Sequence, residues 1–219
     1  MAFHTLDELR TLGLNTELGL TADADATFGT TAQRNGFITR ALAKLWPSMG
    51  RLRRENVTIT LDVQDYTLTT VWDVERVEVM SLTTTTLVDD KIRSWSAWLD
   101  EAADPAVCTI HVQRMQTARI LRVTGYTPYK SEFASGSTAS DIPARLEHVV
   151  MSGARVEAFR WMMTRYANYE GFNNENRANS LSPADVIELL RQAKTEFDKG
   201  MKENARNLTG AHRAQYQTD

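Results

Sequence analysis

The chain has 219 residues, 42% apolar and 24% charged, with a formal net charge of −3. That length fits one large domain, or a domain with an inserted subdomain, and a sizeable core without staples. The charge exerts no bulk pull toward nucleic acid, no apolar run approaches the roughly 20 residues of a bilayer span, and the lone Cys108 excludes an intramolecular disulfide or a thiolate metal site built from one chain.

The start, MAFHTLDELR, carries acids and lacks an apolar signal core, so a soluble protein made in the cytoplasm is expected. Charge is unevenly placed. Residues 1–29 hold Asp7, Glu8, Glu17, Asp23 and Asp25 against Arg10. Residues 30–60 hold Arg34, Arg40, Lys44, Arg51, Arg53 and Arg54 against Glu55. An acidic leader before a basic helix and linker reads as mutual neutralisation, within a chain or between neighbours, or as a DNA-facing patch; the first is favoured because charge runs are usually paired or solvated.

Thr5-Leu6-Asp7-Glu8 has the form of a capping box opening a short helix, whose length Gly13 and Gly19 limit. Residues 20–29 read as a loop. A second helix starts with Thr30 or Thr31 as N-cap, and Phe37, Ile38, Ala41, Leu42 and Leu45 recur at helical spacing. Arg34, Arg40 and Lys44 are placed on its other face. Pro47 disfavours helix at Trp46 and ends it.

After a basic linker, residues 57–61 alternate as a half-buried strand, and Tyr66 and Leu68 continue the alternation past a turn at Asp62 to Gln64. Val77 and Val79 mark another strand. The four threonines at 83–86 suit an edge or a loop, and the region of Trp95 and Trp98 has no clear assignment. Strands resume at Val107–Val112 and Ile120–Val123. Short links make this subdomain of about five strands antiparallel. Residues 125–143, rich in Gly, Pro and Ser, read as a connector.

Asp141-Ile142-Pro143 introduces a long helix. Leu146, Val149, Val150, Gly153, Val156, Phe159, Met163 and Tyr166 form a stripe that Trp161 and Met162 widen, which implies burial against more than one neighbour. Residues 171–180 break it. Ser182-Pro183-Ala184-Asp185 starts a last helix, with Val186, Leu189, Leu190, Ala193, Phe197 and Met201 at amphipathic spacing. Beyond Arg206 the chain is polar and patternless, without a core to join.

The expected fold class is α+β: a helical bundle formed by the N- and C-terminal helices, with an inserted antiparallel β-subdomain. The expected divisions are 1–50 and 144–204 for the bundle, 51–125 for the insert, 126–143 for the connector and 205–219 for a tail.

Reactive constellations are few. His4, His111, His148 and His212 lack ligand spacing, and Cys108 and His111, three apart on a strand, fall on opposite faces. Asp89, Asp90, Asp100, Glu101 and Asp104 read as solvated loop acids. No phosphate-binding, dinucleotide-binding or nucleophile-elbow motif is present. Tyr126, Tyr129 and Phe133 beside Lys130 have the composition of a base-stacking surface, but in a Gly/Pro-rich connector they more often anchor the loop. No catalytic, cofactor or metal residue is expected, and no enzymatic activity.

Several segments together resemble a known family: the leader TLDELRTLGL, the helix QRNGFITRALAKLWPSMGRL, the hairpin NVTITLDVQDYTL, LRVTGYTPY, DIPARLEHVVMSGARVEAFRWMMTRYANY, and a terminal amphipathic helix with a polar tail. In this order they resemble the head-to-tail connector (adaptor) proteins of tailed bacteriophages, the ring beneath the portal. The likeness covers nearly the whole chain except Ser81 to Ala106, and it rests on patterns of residue class.

The resemblance implies a structural virion subunit of the neck, at the head–tail junction, assembled in the host cytoplasm. It implies neighbouring copies in a closed, expectedly twelvefold ring on a portal protein. The next neck or tail-completion component, and transient nonspecific contact with genomic DNA in the channel, complete the expected partners; no membrane is implied. The C-terminal segment would dock on the portal, with Arg206, Arg213 and Tyr216 as its anchoring contacts. Arg51, Arg53 and Arg54 are candidates for inter-subunit or DNA contacts. The alternatives are a nucleic-acid-binding regulator using the basic segment 34–54, whose Phe37–Trp46 stretch is mostly apolar for a recognition helix, and a small enzyme with no recognisable site.

Overall fold

In a computed structural model, the described residues are 4–20, 23, 27–60, 62–81, 87–89, 95–100, 107–112, 119–130, 136–167 and 182–205, without the side chains of 87–89, 166 and 167. The four threonines at 83–86, the acids Asp90, Glu101 and Asp104, Phe133, the break at 171–180 and the tail from Arg206 lie outside them. The fold is α+β, and the chain divides into a helical unit within Met1–Met49 and Tyr129–Arg206 and a β unit within Gly50–Pro128.

The helical unit begins with one continuous helix. Its ends, α1 (Leu6–Glu8) and α2 (Asn15–Glu17), are α-helical, and its middle, Leu9–Leu14, is π-wound. The capping box is formed: Thr5 Oγ1 accepts from the Glu8 amide at 3.2 Å, and the Glu8 carboxylate accepts from the Thr5 amide at 2.7 Å. The π winding has a packing reason. Leu9 and Leu14 are both buried, as are Arg10 and Asn15. Residues five apart would be about 140° round an α-helix but share a face when the winding is i→i+5. Gly13 meets α4 closely: a Cβ there would sit 2.6 Å from the Met151 sulfur.

Helix α3 (Thr31–Leu45) has its own capping box from Thr30 and Gln33, and Trp46 is extended beyond its end. Helix α4 (Ala144–Ala167) is buried on most of its circumference, at Leu146, Val149, Val150, Met151, Ala154, Val156, Ala158, Phe159 and Met162. It packs against the π-wound segment, α3 and α5 (Pro183–Asn204). Two glycines set these approaches. A Cβ on Gly153 would lie 2.9 Å from the Phe197 ring and 3.0 Å from the Ala41 methyl, and one on Gly200 would lie 2.9 Å from a Val149 methyl. Leu42 and Phe159 are buried and Phe197 is packed on the same core.

The β unit has a four-stranded antiparallel sheet in the order β1-β7-β3-β4, formed by β1 (Arg51–Thr58), β7 (Ile120–Thr127), β3 (Asp73–Met80) and β4 (Leu87–Asp89). A three-stranded antiparallel sheet has the order β2-β6-β5, formed by β2 (Asp65–Leu68), β6 (Val107–Val112) and β5 (Trp95–Asp100). The inner residues of both make one core, with Ile59, Leu68, Val77, Ala97, Ile110, Leu121 and Val123 among its members. Tyr66 ties the β1–β2 turn: its hydroxyl donates to the carbonyls of Thr60 (3.1 Å) and Val63 (2.9 Å) and accepts from the Thr60 amide. Asp62 in that turn has φ 68°.

Four expectations are corrected. The segment NVTITLDVQDYTL is not a hairpin, because β1 pairs with β7 in one sheet and β2 with β6 in the other. The first strand is not 57–61 but Arg51–Thr58, because β7 pairs with it from Arg51↔Thr127 to Thr58↔Ile120. Seven strands are present among the described residues rather than about five, and the unassigned tryptophans lie on β5. The stretch from Gly125 is not all connector: β7 continues to Thr127, and Ala139 bridges Thr5 while the amide of Asp7 donates to the Gly136 carbonyl. Backbone pairing orders this stretch, and apolar periodicity does not report it.

Candidate interface surfaces

The charge asymmetry of the first 60 residues resolves mostly within the chain. Arg10 is buried; its Nε donates to Asp23 Oδ1 at 3.0 Å and its Nη1 to Asp7 Oδ1 at 2.6 Å and Asn35 Oδ1 at 2.9 Å. Arg34, expected on the polar face of α3, is instead 0% exposed. Its guanidinium donates to the Gly29 carbonyl at 2.8 Å and to the Asp23 backbone carbonyl. Asp23 and Gly29, which precede α3, lie against that face, so the arginine ties them to the helix. Hydrogen bonds from Arg10 first, then from Asn15, hold the Asp23 carboxyl below the usual aspartate range.

Arg40 and Lys44 do face outward, and both reach Glu157 on α4, with Arg40 Nε at 3.0 Å. Arg160 lies 3.3 Å from the same carboxylate. Burial opposes ionisation of Glu157, but the Lys44 and Arg40 contacts prevail and hold its carboxyl below the glutamate range. Three cations thus share one carboxylate. Beside them, Ala32, Gln33, Gly36, Phe37, Arg40 and Trp161 line an open groove of about 400 Å³. Arg40 stacks over the Phe37 ring at 5.2 Å and Arg165 over the Trp161 ring at 5.4 Å. Sequence reading placed Trp161 in the buried stripe. It widens the stripe only at its margin, where aromatic and guanidinium faces meet solvent.

Arg51, Arg53 and Arg54 do not form one patch. They lie on β1, an edge strand, whose alternation puts Arg51 and Arg53 on one face with Glu55 and Val57, and Arg54 on the other with the exposed Leu52. Basic side chains on an edge strand also discourage pairing with another sheet. The portal-docking candidates Arg206, Arg213 and Tyr216 lie outside the described residues.

Glu55 is the notable polar feature of the β unit. Its carboxylate accepts from the amides of Thr69 (2.9 Å) and Thr70 (2.8 Å) and from both their hydroxyls (2.9 Å each). Burial pushes its pKa up, yet these four bonds prevail and hold it below the glutamate range. Only a fold that brings 69–70 back to β1 reveals this role.

Cys108 is buried with its side chain in the β core, while His111 on the opposite face pairs with Asp65 at 2.6 Å. Burial first, then Asp73 and Glu55, pushes the thiol up to about 12, which makes it a poor nucleophile. His4 contacts Glu147 at 2.8 Å. Among the described residues, no three His, Cys, Asp or Glu side chains converge in a metal-ligating group, and no helix is long and apolar enough to cross a membrane. No known family model matches the chain, and no curated protein matches it.

Proposed function

We propose that this chain is a structural subunit of a bacteriophage neck, a ring-forming head-to-tail adaptor that docks on the portal, extends the DNA channel and links to the tail. What supports this reading is that the expected arrangement, a helical core with an inserted β unit, is the one the fold has. The leader is the capped N-terminal helix, the second segment is α3, the third spans β1 and β2, which lie in different sheets and form no hairpin, the fourth is β7, and the last two are α4 and α5. The N-terminal helix and α3 thereby build one helical core with α4 and α5, and the β unit is an excursion between Met49 and Tyr129.

Helix α5 fits a role at a junction. Its capping box at Ser182 and Asp185 fixes its start, and it buries only Val186, Ala193 and Gly200 fully, leaving Ile187 and a charged face outward. It is positioned to aim the residues that follow it toward a partner.

A regulator reading DNA through residues 34–54 is disfavoured, because Arg34 is internal and Arg51, Arg53 and Arg54 divide between two strand faces. The test is removal of residues 205–219. The truncated chain should keep its helical and β cores but lose retention on portal-containing capsids; wild-type occupancy would refute the docking role.

A further inference from the structure

The helical unit carries an apolar projection and an apolar recess of opposite charge on different flanks. The projection is Leu12, 70% exposed. The π winding that turns Leu9 and Leu14 inward leaves it outward. Residues four and five away on either side include Asp7, Glu8 and Glu17; Asp7 pairs with Arg10, which also holds Asp23, and Glu17 lies 3.5 Å from Arg155, which also holds Glu196, so acids outnumber cations around the projection. The recess is the groove lined by Ala32, Gln33, Gly36, Phe37, Arg40 and Trp161. Its border is basic: Arg40, Lys44 and Arg160 share Glu157, and Arg165 lies on Trp161.

The two features cannot meet within one chain. On α3, at about 100° per residue, Asn35 sits about 140° from Arg40 and about 100° from Gly36. Asn35 is held by Arg10 of the π-wound segment. The segment bearing Leu12 and the groove therefore flank the buried stripe of α3 on opposite sides.

We propose that Leu12 of one copy seats in the groove of the next, with its acidic surround against Arg40 and Arg165, so that copies join head to tail. This deepens the ring-forming reading and rests on it. A contact between two different patches of one subunit is heterologous, and it propagates until rotation closes it. Charge selects this occupant. Among the described residues the other strongly exposed aliphatic of the helical unit, Ile187, stands beside Glu188 and Arg191, which pair with each other at 2.7 Å, and so offers the basic border no excess of acid. A nucleic-acid phosphate would satisfy the arginines but leave the apolar lining of the groove, where the Phe37 and Trp161 rings pack at 6.3 Å, uncovered.

The test uses full-length chain carrying both Leu12→Cys and Ala32→Cys, concentrated in low salt, oxidised, and alkylated before denaturation. Cys108 is buried and stays silent. The double variant should give a covalent ladder beyond dimer. Either single variant should give none, and an equal mixture of the two should stop at dimer. No ladder in the double variant, or dimer from Leu12→Cys alone, overturns the proposal. As a folding-independent check, Leu12→Ser and Arg165→Glu should keep native circular dichroism while self-association by sedimentation weakens at least about tenfold. Unchanged association overturns the contact, as does an Arg165→Glu effect confined to binding of a duplex DNA fragment. Rings on portal particles without the Leu12 cross-link would remove this contact and leave the neck reading standing. A ladder without portal binding would do the reverse.

Discussion

Replacing Gly125 by alanine adds one methyl group where neighbouring backbone already crowds β7. Gly125 lies on β7, between β1 and β3, opposite Arg53 on one side and Val74 on the other. The register of β3 shifts between Val74 and Arg76, and this bulge brings its backbone over the glycine. A Cβ on Gly125 would stand 2.9 Å from the Val74 Cα and 2.7 Å from a Val71 methyl, and closer still to the Asp73 carbonyl oxygen. Two of these neighbours are backbone, so no rotamer change relieves the clash. The strands must separate, which also strains the bond from the Trp72 amide to the Tyr126 carbonyl, 2.9 Å long. Overpacking costs about 1–3 kcal/mol and a strained ladder bond about 1 kcal/mol more, so the expected loss is about 2–4 kcal/mol. Against a typical stability of about 5–15 kcal/mol that is a large fraction. Urea denaturation followed by tryptophan fluorescence measures it, and hydrogen exchange should show lost protection at Leu121 and Val123. A loss below about 0.5 kcal/mol, the range of an ordinary surface change, would refute the close approach.

Glu55→Gln should destabilise the β unit by about 2 kcal/mol, because an amide cannot accept from all four donors of Thr69 and Thr70. Since folding depresses the Glu55 pKa, its contribution is present above the ordinary glutamate range and lost as pH falls through the folded value; the substitution should therefore flatten the acid limb of a stability–pH curve. Asp23→Ala removes an acceptor shared by Arg10, Asn15 and Arg34 and should cost about 2–3 kcal/mol in thermal melts, less than a fully buried pair because Asp23 is partly exposed. Cys108 should resist a thiol reagent in the native state and react fully once urea unfolds the β unit.

Where local chemistry decides the conformation, the sequence was sufficient. The capping boxes at Thr5, Thr30 and Ser182 start helices where expected, and Trp46-Pro47 ends α3 as expected. The wide stripe of α4 is matched by neighbours on several sides. Long-range pairing was not legible. β1 reaches back to Arg51 because β7 offers partners, although its own residues RLRRE carry no apolar alternation. Arg34 looked like one of three outward cations; its burial depends on the carbonyls of Gly29 and Asp23, which only a folded loop presents. The π winding that exposes Leu12 likewise follows from tertiary demands on Leu9, Leu14, Arg10 and Asn15. Arg51, Arg53 and Arg54 form one basic run in the sequence, and strand alternation divides them.

The proposed neck role is tested most directly by co-expressing the full chain with a portal protein, purifying on the portal alone, and averaging particle images without imposed symmetry. The account predicts that the chain is retained and adds a closed ring of density coaxial with the portal channel. Portal particles with no added density, from a preparation in which the chain is abundant, folded and soluble, would contradict it.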